Sequence, residues 1–102
     1  MAAVMIGHIE IIPGVCAGKP HIAGHRITVQ NVAIWHERMG MEPDEIATEY
    51  GLTLGEVYAA LAYYHDHRDE IDAAIRADDE FVAEMRRRTP SKLAEKLRGR
   101  TN

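Results

Sequence analysis

Seven basic residues near the C-terminal end are the strongest chemical feature of this sequence. Residues 86–102 hold 7 Lys and Arg and one Glu, whereas residues 1–85 hold 5 Lys and Arg and 15 Asp and Glu. A guanidinium group pairs with a carboxylate or a phosphate through two parallel hydrogen bonds. The cluster therefore predicts a partner that carries carboxylates or phosphates. A solvated chain end beside an acidic body is the alternative interpretation.

Two leucines lie inside this basic cluster. Leu93 and Leu97 are four residues apart, which places both on one side of a helix. The spacing favours a short helix laid in a groove of a protein partner. The residues that we expect to bind this partner are Arg86, Arg87, Arg88, Lys92, Leu93, Lys96, Leu97 and Arg98.

The glycine-rich loop of residues 13–28 is a second candidate site. Lys19 and Arg26 would bring two cations near the backbone amides around Gly24, and such a loop can bind a phosphate or an acidic protein surface. The alternative is a structural turn in which Arg26 bonds carbonyls or a carboxylate. The Gly-Lys-Ser/Thr ending of a nucleotide-binding loop is absent from the sequence.

The histidines and the cysteine form no recognisable catalytic or metal-binding pattern. His65 and His67 are two residues apart, so they lie on different faces of a helix. His21 and His25 have no carboxylate near them in sequence, and Cys16 is the only cysteine. We therefore expect no metal, no cofactor and no enzymatic activity.

The elements that must position these residues begin with a small β region. Residues 8–12 predict a strand, Pro13-Gly14 marks a turn, and residues 21–28 predict a hairpin-like return with Gly24 near its tip. An isolated hairpin is marginally stable in water. We therefore expect this region to pack on the helices or to pair with the same strand of a second copy.

Residues 46–61 predict two helices joined by a tight turn. Ala47 is small where the helices would cross, and Gly51 suits a turn residue with a positive φ. Thr53 can cap the second helix, with Glu56 completing a capping box. Small, glycine and apolar residues at these spacings are typical of a helix-turn-helix.

Four helices are predicted before the short helix of the basic cluster. The first runs from Val29, capped by Thr28, to about Met39, the second from Pro43 to Tyr50, the third from about Leu54 to His65, and the fourth from about His67 to Arg88. In the fourth helix, residues 78–80 interrupt an apolar stripe. This interruption predicts that the helix bends or that its apolar side is only partly covered.

The predicted fold is therefore mostly α, a helix-turn-helix (homeodomain-like) bundle of three to four helices with a short N-terminal β element. The expected regions are residues 1–28 for the β element and loop, 29–66 for the helix-turn-helix core, and 67–102 for the C-terminal helix and basic tail.

The helix expected to read DNA is poorly suited to that task. From Thr53 it carries no Lys or Arg before Arg68, and its nearest charge is Glu56. Weak nucleic-acid contacts are assigned to Lys19, Arg26, Thr53 and Arg68. The unit is better explained as a packing and dimerisation scaffold. Its core or dimer contacts are expected at Trp35, Met39, Val57, Leu61 and Tyr64.

Length and composition bound the class of protein. The chain has 102 residues, which is one domain with a tail, and a homodimer would add to its modest core. No apolar run approaches the roughly 18 residues of a membrane span, and the N-terminus lacks the basic region of a signal peptide. We therefore expect a soluble cytoplasmic protein without a membrane partner.

The loop and its flanks resemble the signature of the family known as domain of unknown function 433. The resemblance covers about residues 8–76, including Ala60–Tyr64 and Glu70–Asp72, and the sequence departs from it beyond about residue 80. The signature positions that match are Gly18, Lys19, Pro20, Ile22, Gly24, Arg26, Ile27 and Val29.

The resemblance implies a small, commonly dimeric domain related to the helix-turn-helix class. It also implies an antitoxin whose partner is a PIN-like toxin, a metal-dependent ribonuclease. The expected function is therefore to neutralise such a toxin through the C-terminal segment and to bind operator DNA in autoregulation. The alternatives are a stand-alone DNA-binding transcription regulator and a structural dimeric interaction module.

Overall fold

A computed structural model describes residues 3–89 as a short sheet followed by four helices. The strands are β1 (Val4–Ile6), β2 (Ile9–Ile11) and β3 (His21–Ile22). The helices are α1 (Val29–Ala33, continued by a π-helical turn, Ile34–Arg38), α2 (Pro43–Tyr50), α3 (Leu54–Asp66) and α4 (Arg68–Arg88). Contacts within the chain divide it into two units, Met1–Ile71 and Asp72–Asn102, which are described separately.

The sheet has three antiparallel strands in the order β1-β2-β3. In β1 and β2, Val4 faces Ile11 and Ile6 faces Ile9, so Gly7-His8 forms a two-residue hairpin turn. Gly7 has φ +59°, which suits this kind of turn because glycine has no Cβ. The sequence predicted β2 and the return through β3 but not β1.

The sheet packs on α3 within the first unit, as the first of the two alternatives for the β region predicted. Ile9 of β2 pairs with Ile22 of β3, and the two side chains are 3% and 0% exposed. The predicted return is closed by a hydrogen bond from the Ile22 N–H to the Ile27 carbonyl (2.9 Å), with Gly24 at φ +79°.

Local capping groups define where α1 begins. Thr28 Oγ1 accepts a hydrogen bond from the Asn31 N–H (3.0 Å), and Asn31 Oδ1 accepts one from the Thr28 N–H (3.1 Å). The helix ends near Met39 as predicted, but its last turn is π-helical, with the Met39 N–H bonded to the Ile34 carbonyl (3.1 Å).

Helices α2 and α3 are joined by the tight turn that the sequence predicts. Gly51 adopts the left-handed conformation (φ 67°, ψ 35°) immediately after α2. The Leu52 N–H then reaches back to the Ala47 carbonyl (2.9 Å), and Leu52 is buried. Ile46 of α2 and Val57 of α3 are 0% exposed, and the two helices are in contact.

The structure confirms a mostly α fold with a short N-terminal β element. Among the described residues, none of the helices combines the length and apolar character that crossing a membrane requires. The expected boundaries at 28 and 66 stay a prediction. The buried apolar residues of the first unit are Ile9, Ile22, Val29, Val32, Ala33, Ile46, Leu52, Val57, Ala60, Leu61, Tyr64 and Ile71.

Replacing Gly51 by alanine should lower the free energy of unfolding by about 1 kcal/mol, because a Cβ is disfavoured in the left-handed region. Gly55→Ala is the matched control. Its φ is not positive, and its Cβ would meet nothing nearer than 3.9 Å. That change should leave the stability unchanged or raise it by up to about 1 kcal/mol. Urea unfolding of both variants measures this, and equal losses at the two positions would contradict the role assigned to Gly51.

Candidate functional site

The N-terminus of α3, where a DNA-reading helix would meet bases, is closed by a capping box. Thr53 Oγ1 accepts a hydrogen bond from the Glu56 N–H (3.1 Å), and a Glu56 carboxylate oxygen accepts one from the Thr53 N–H (2.8 Å). The hydroxyl of Thr53, which we expected to contact nucleic acid weakly, is therefore already engaged in the protein.

Glu56 is held in its charged form. Its pKa is lowered below the ordinary value of 4.5, mainly by the hydrogen bond from the Thr53 backbone. Burial opposes this effect, and the Thr53 hydroxyl, His25 and His8 add to it. His25 Nε2 lies 3.5 Å from a Glu56 oxygen. The sequence analysis missed this pair, because only the fold brings the β3 loop to the start of α3.

The whole α2–α3 unit is acidic. Residues 42–66 contain six Asp and Glu and no Lys or Arg. Affinity for duplex DNA depends on neutralising phosphates with cations. A negative surface of this kind repels the DNA backbone, so α2 and α3 do not carry the charge that reading DNA needs.

Arg68 lies just after this unit, at the start of α4. Its guanidinium carbon is 5.7 Å from the centre of the Tyr64 ring, within the range of a cation–π contact. Before it, His67 stacks on Tyr63 with 4.0 Å between ring centres. Arg68 therefore has an intramolecular role, and its contact with nucleic acid stays a prediction.

The glycine-rich loop is held by its own backbone. Cys16, Ala17 and Gly18 have φ values of 51°, 56° and 75°, which form a left-handed turn. The N–H groups of Gly18 and Lys19 donate to the carbonyls of Val15 (2.9 Å) and Cys16 (3.0 Å). Because these amides are used internally, they are not directed at a phosphate.

Side chains of the loop also form contacts within the protein. The Cys16 thiol donates to the Arg26 carbonyl (3.6 Å), and His21, 2% exposed, places Nδ1 3.1 Å from the Lys19 carbonyl oxygen. His21 Nε2 also lies 3.5 Å from a Glu10 carboxylate oxygen. This arrangement favours the structural interpretation of the loop. Binding of a phosphate or acidic surface by Lys19 and Arg26 stays a prediction.

The five residues expected in the core or dimer interface occupy different environments. Val57, Leu61 and Tyr64 are buried in the first unit. Trp35 is partly exposed and stacks on Tyr50, with 3.7 Å between ring centres and 3° between planes. Met39 is 63% exposed, so it does not belong to the core, because it lies just beyond the last turn of the first helix.

The C-terminal half of α4 carries the largest exposed apolar side chains near the basic residues. Phe81, Val82 and Met85, the apolar trio, are 66%, 45% and 43% exposed. The incomplete coverage predicted for this stripe is therefore confirmed. Their position between the charged residues 78–80 and 86–88 is a signal in the sequence for a surface location.

The basic residues of this half differ in their partners. Arg87 and Arg88 form ion pairs with Glu84, the second at 2.8 Å. Arg86 is exposed and has no hydrogen bond or ion pair within residues 3–89. The other expected partner-binding residues, Lys92, Leu93, Lys96, Leu97 and Arg98, lie outside the described residues.

Residues 3–89 contain no group of three or more His, Cys, Asp or Glu side chains that could hold a metal ion. Residues 3–89 form a small helical protein with an N-terminal sheet, an acidic pair of helices α2 and α3, and an α4 whose second half is exposed.

The family of this protein follows from a comparison with family models. The model described as Protein of unknown function (DUF433) matches residues 9–64, more than half of the chain, and the chain belongs to this family. The match runs from the start of β2 to Tyr64 and includes none of α4. Comparisons with curated proteins and with solved structures gave no match.

Replacing Glu56 by glutamine should flatten the acid dependence of stability. Because the folded pKa of Glu56 lies below 4.5, its carboxylate stabilises the fold above that pH, and this contribution is lost as the pH falls through the folded pKa. Glutamine can still accept the Thr53 hydrogen bond but does not titrate. The variant should be less stable by about 1 kcal/mol at pH 7, and the difference should shrink below pH 4.5.

Urea unfolding at several pH values measures this difference. Glu80→Gln is the control, since Glu80 is exposed and has no hydrogen bond within residues 3–89. A constant difference between wild type and Glu56→Gln at all pH values would contradict the role of the charge.

Proposed function

We propose that this protein is an antitoxin-like protein that binds and neutralises a PIN-like ribonuclease toxin through its C-terminal segment. The observation that carries the proposal is the exposure of α4. From Arg76 to Thr89, every residue except Glu84 is exposed. This stretch nevertheless displays the apolar trio beside three arginines. A helical segment of this length is marginal alone in water, so it is suited to folding against the surface of a partner.

The chemistry of this segment matches the proposed toxin. A metal-dependent ribonuclease holds its metal with acidic groups. Arginine forms bidentate pairs with carboxylates, and the apolar trio can fill a groove beside them. Positive charges around an apolar centre also speed association with an acidic partner.

A stand-alone DNA-binding regulator is the second candidate. The helix-turn-helix geometry of α2 and α3 supports it, while the six acidic residues and the absence of Lys and Arg in residues 42–66 oppose it. We therefore propose that operator binding in autoregulation depends on the basic segment or on charge supplied by the toxin. The proposed state of the free protein is a non-enzymatic cytoplasmic homodimer. A structural dimeric interaction module is the third candidate.

The first experiment is a pull-down of the tagged protein from its own cells after nuclease treatment, followed by native mass spectrometry. A stoichiometric small acidic protein with ribonuclease activity that the bait inhibits is expected. If material is retained only when nucleic acid is left intact, the regulator takes the place of the antitoxin.

The triple variant Arg86→Ala, Arg87→Ala, Arg88→Ala should weaken binding to the captured partner by about 100-fold or more, which corresponds to about 2.7 kcal/mol. Three charge-assisted contacts are removed, while the Arg87 and Arg88 pairs with Glu84 are surface ion pairs of little value to stability. The fold should therefore be unchanged. Isothermal titration calorimetry measures the affinity, and urea unfolding measures the stability.

The double variant Arg38→Ala, Arg76→Ala removes exposed arginines outside residues 86–88 and serves as the control. It should change the affinity by less than about threefold. Equal weakening by both variants would show that overall charge, rather than this segment, determines binding. Unfolding of the triple variant would disprove the separation of binding residues from the core.

A further inference from the structure

The charges in the second half of α4 are arranged symmetrically about its apolar residues. Asp78, Asp79 and Glu80 precede the apolar trio, and Arg86, Arg87 and Arg88 follow it. Ala83, a small exposed residue, lies midway between the two charged groups. A sequence that changes from acidic to basic about a central point is complementary to its own reverse.

We infer that this half of α4 pairs antiparallel with the same segment of a second copy of the chain. In a two-fold interface, residue i of one copy meets residue j of the other, and j meets i. An antiparallel pair places each acidic group opposite a basic group, and does so twice. A parallel pair would place acids against acids and arginines against arginines, which is repulsive.

The helical spacing identifies the residues that meet. Asp79, Val82 and Arg86 are related by steps of three and four residues, so they share one side of α4 with Met85. When Val82 lies opposite Met85 of the second copy, Asp79 is within about 3 Å along the axis of Arg86 of that copy. Two symmetric Asp79–Arg86 ion pairs then flank an apolar centre formed by Val82 and Met85.

Among the three arginines of residues 86–88, the ion pairs within the described chain agree with this arrangement. Arg87 and Arg88 are occupied by Glu84, whereas Arg86 has no hydrogen bond or ion pair within residues 3–89. Val82 and Met85 are close to half exposed, at 45% and 43%. Of Arg86, Arg87 and Arg88, the one that the helical spacing places on the pairing side is thus the one without an ion pair to a described residue.

We expect the pairing of the two helices to be weak, because their interface is small. About 12 residues of each helix, roughly 18 Å, would be in contact, and an interface this small falls in the class below about 1,200 Å² that is formed transiently. A dissociation constant in the micromolar range, about 10 to several hundred micromolar, is expected.

The inference rests on the homodimer in the proposed function and names its surface, and it is independent of the toxin. It also adds a form of regulation. Because the same residues are proposed to bind the toxin, a second copy and the toxin would compete for this half of α4.

The test uses the full chain with two charge reversals, Asp79→Arg and Arg86→Asp. Each variant alone places like charges together and should weaken self-association at least about tenfold. Mixed in equal amounts, the two variants should recover it as a heterodimer, because both pairs of positions 79 and 86 then join opposite charges, one in the original order and one reversed. Sedimentation equilibrium measures the association, and native mass spectrometry separates the heterodimer from both homodimers by mass.

The neighbouring residues provide matched controls. Glu80→Arg and Arg87→Asp make the same charge changes about 100° further around the helix, so each should weaken association less than threefold. Circular dichroism checks that every variant folds.

The outcomes separate the parts of the inference. A wild-type chain that stays monomeric to millimolar concentration overturns both the homodimer and this surface. A dimer that tolerates both reversals overturns the surface alone. Failure of the mixture to recover overturns the antiparallel pairing.

Discussion

Val57, Ala60, Leu61 and Tyr64, spaced along α3 at i, i+3, i+4 and i+7, are all less than 9% exposed, and the first unit is built on the burial of this one side. The side chains of α1, α2, β2 and β3 pack against it. Each buried large side chain contributes about 1.5–3 kcal/mol, and a chain of this size has few other apolar contacts to replace them. The caps at either side of the turn, Gly51 and Thr53, fix where this helix starts.

The features that the sequence predicted are those with local causes. Gly51, Thr53, Thr28 and Pro43 act on their own turns, so the starts of α1, α2 and α3 could be placed to the residue. Strand β1 was missed because three residues show no alternation, and its formation depends on pairing with β2. The π-helical turn keeps the apolar spacing of an α-helix and therefore left no separate signal. The exposure of the Met39 side chain was also not predictable, since an apolar residue at a helix end can be either buried or exposed to solvent.

The candidate sites also divide into features that the sequence alone indicates and features that depend on the fold. Four positions in and beside the loop, all within the family match, have a structural role. Gly18 and Gly24 adopt positive φ, and the side chains of Ile22 and Val29 are fully buried. The basic cluster was evident from charge alone, but its relation to the apolar trio required the exposure that the structure gives. The pairing of His25 with Glu56 depended on the return through β3 and had no counterpart in the linear sequence.

The exposure of α4 from Arg76 to Thr89 also bears on how long the protein survives in a cell. A helix with solvent on nearly every side loses few buried contacts when it opens, so it opens at a low free-energy cost compared with the packed core. Proteases cleave chains that have opened locally. We therefore expect proteases to cleave the segment that presents the arginines more readily than the packed core, and a molecule that covers it to slow this cleavage.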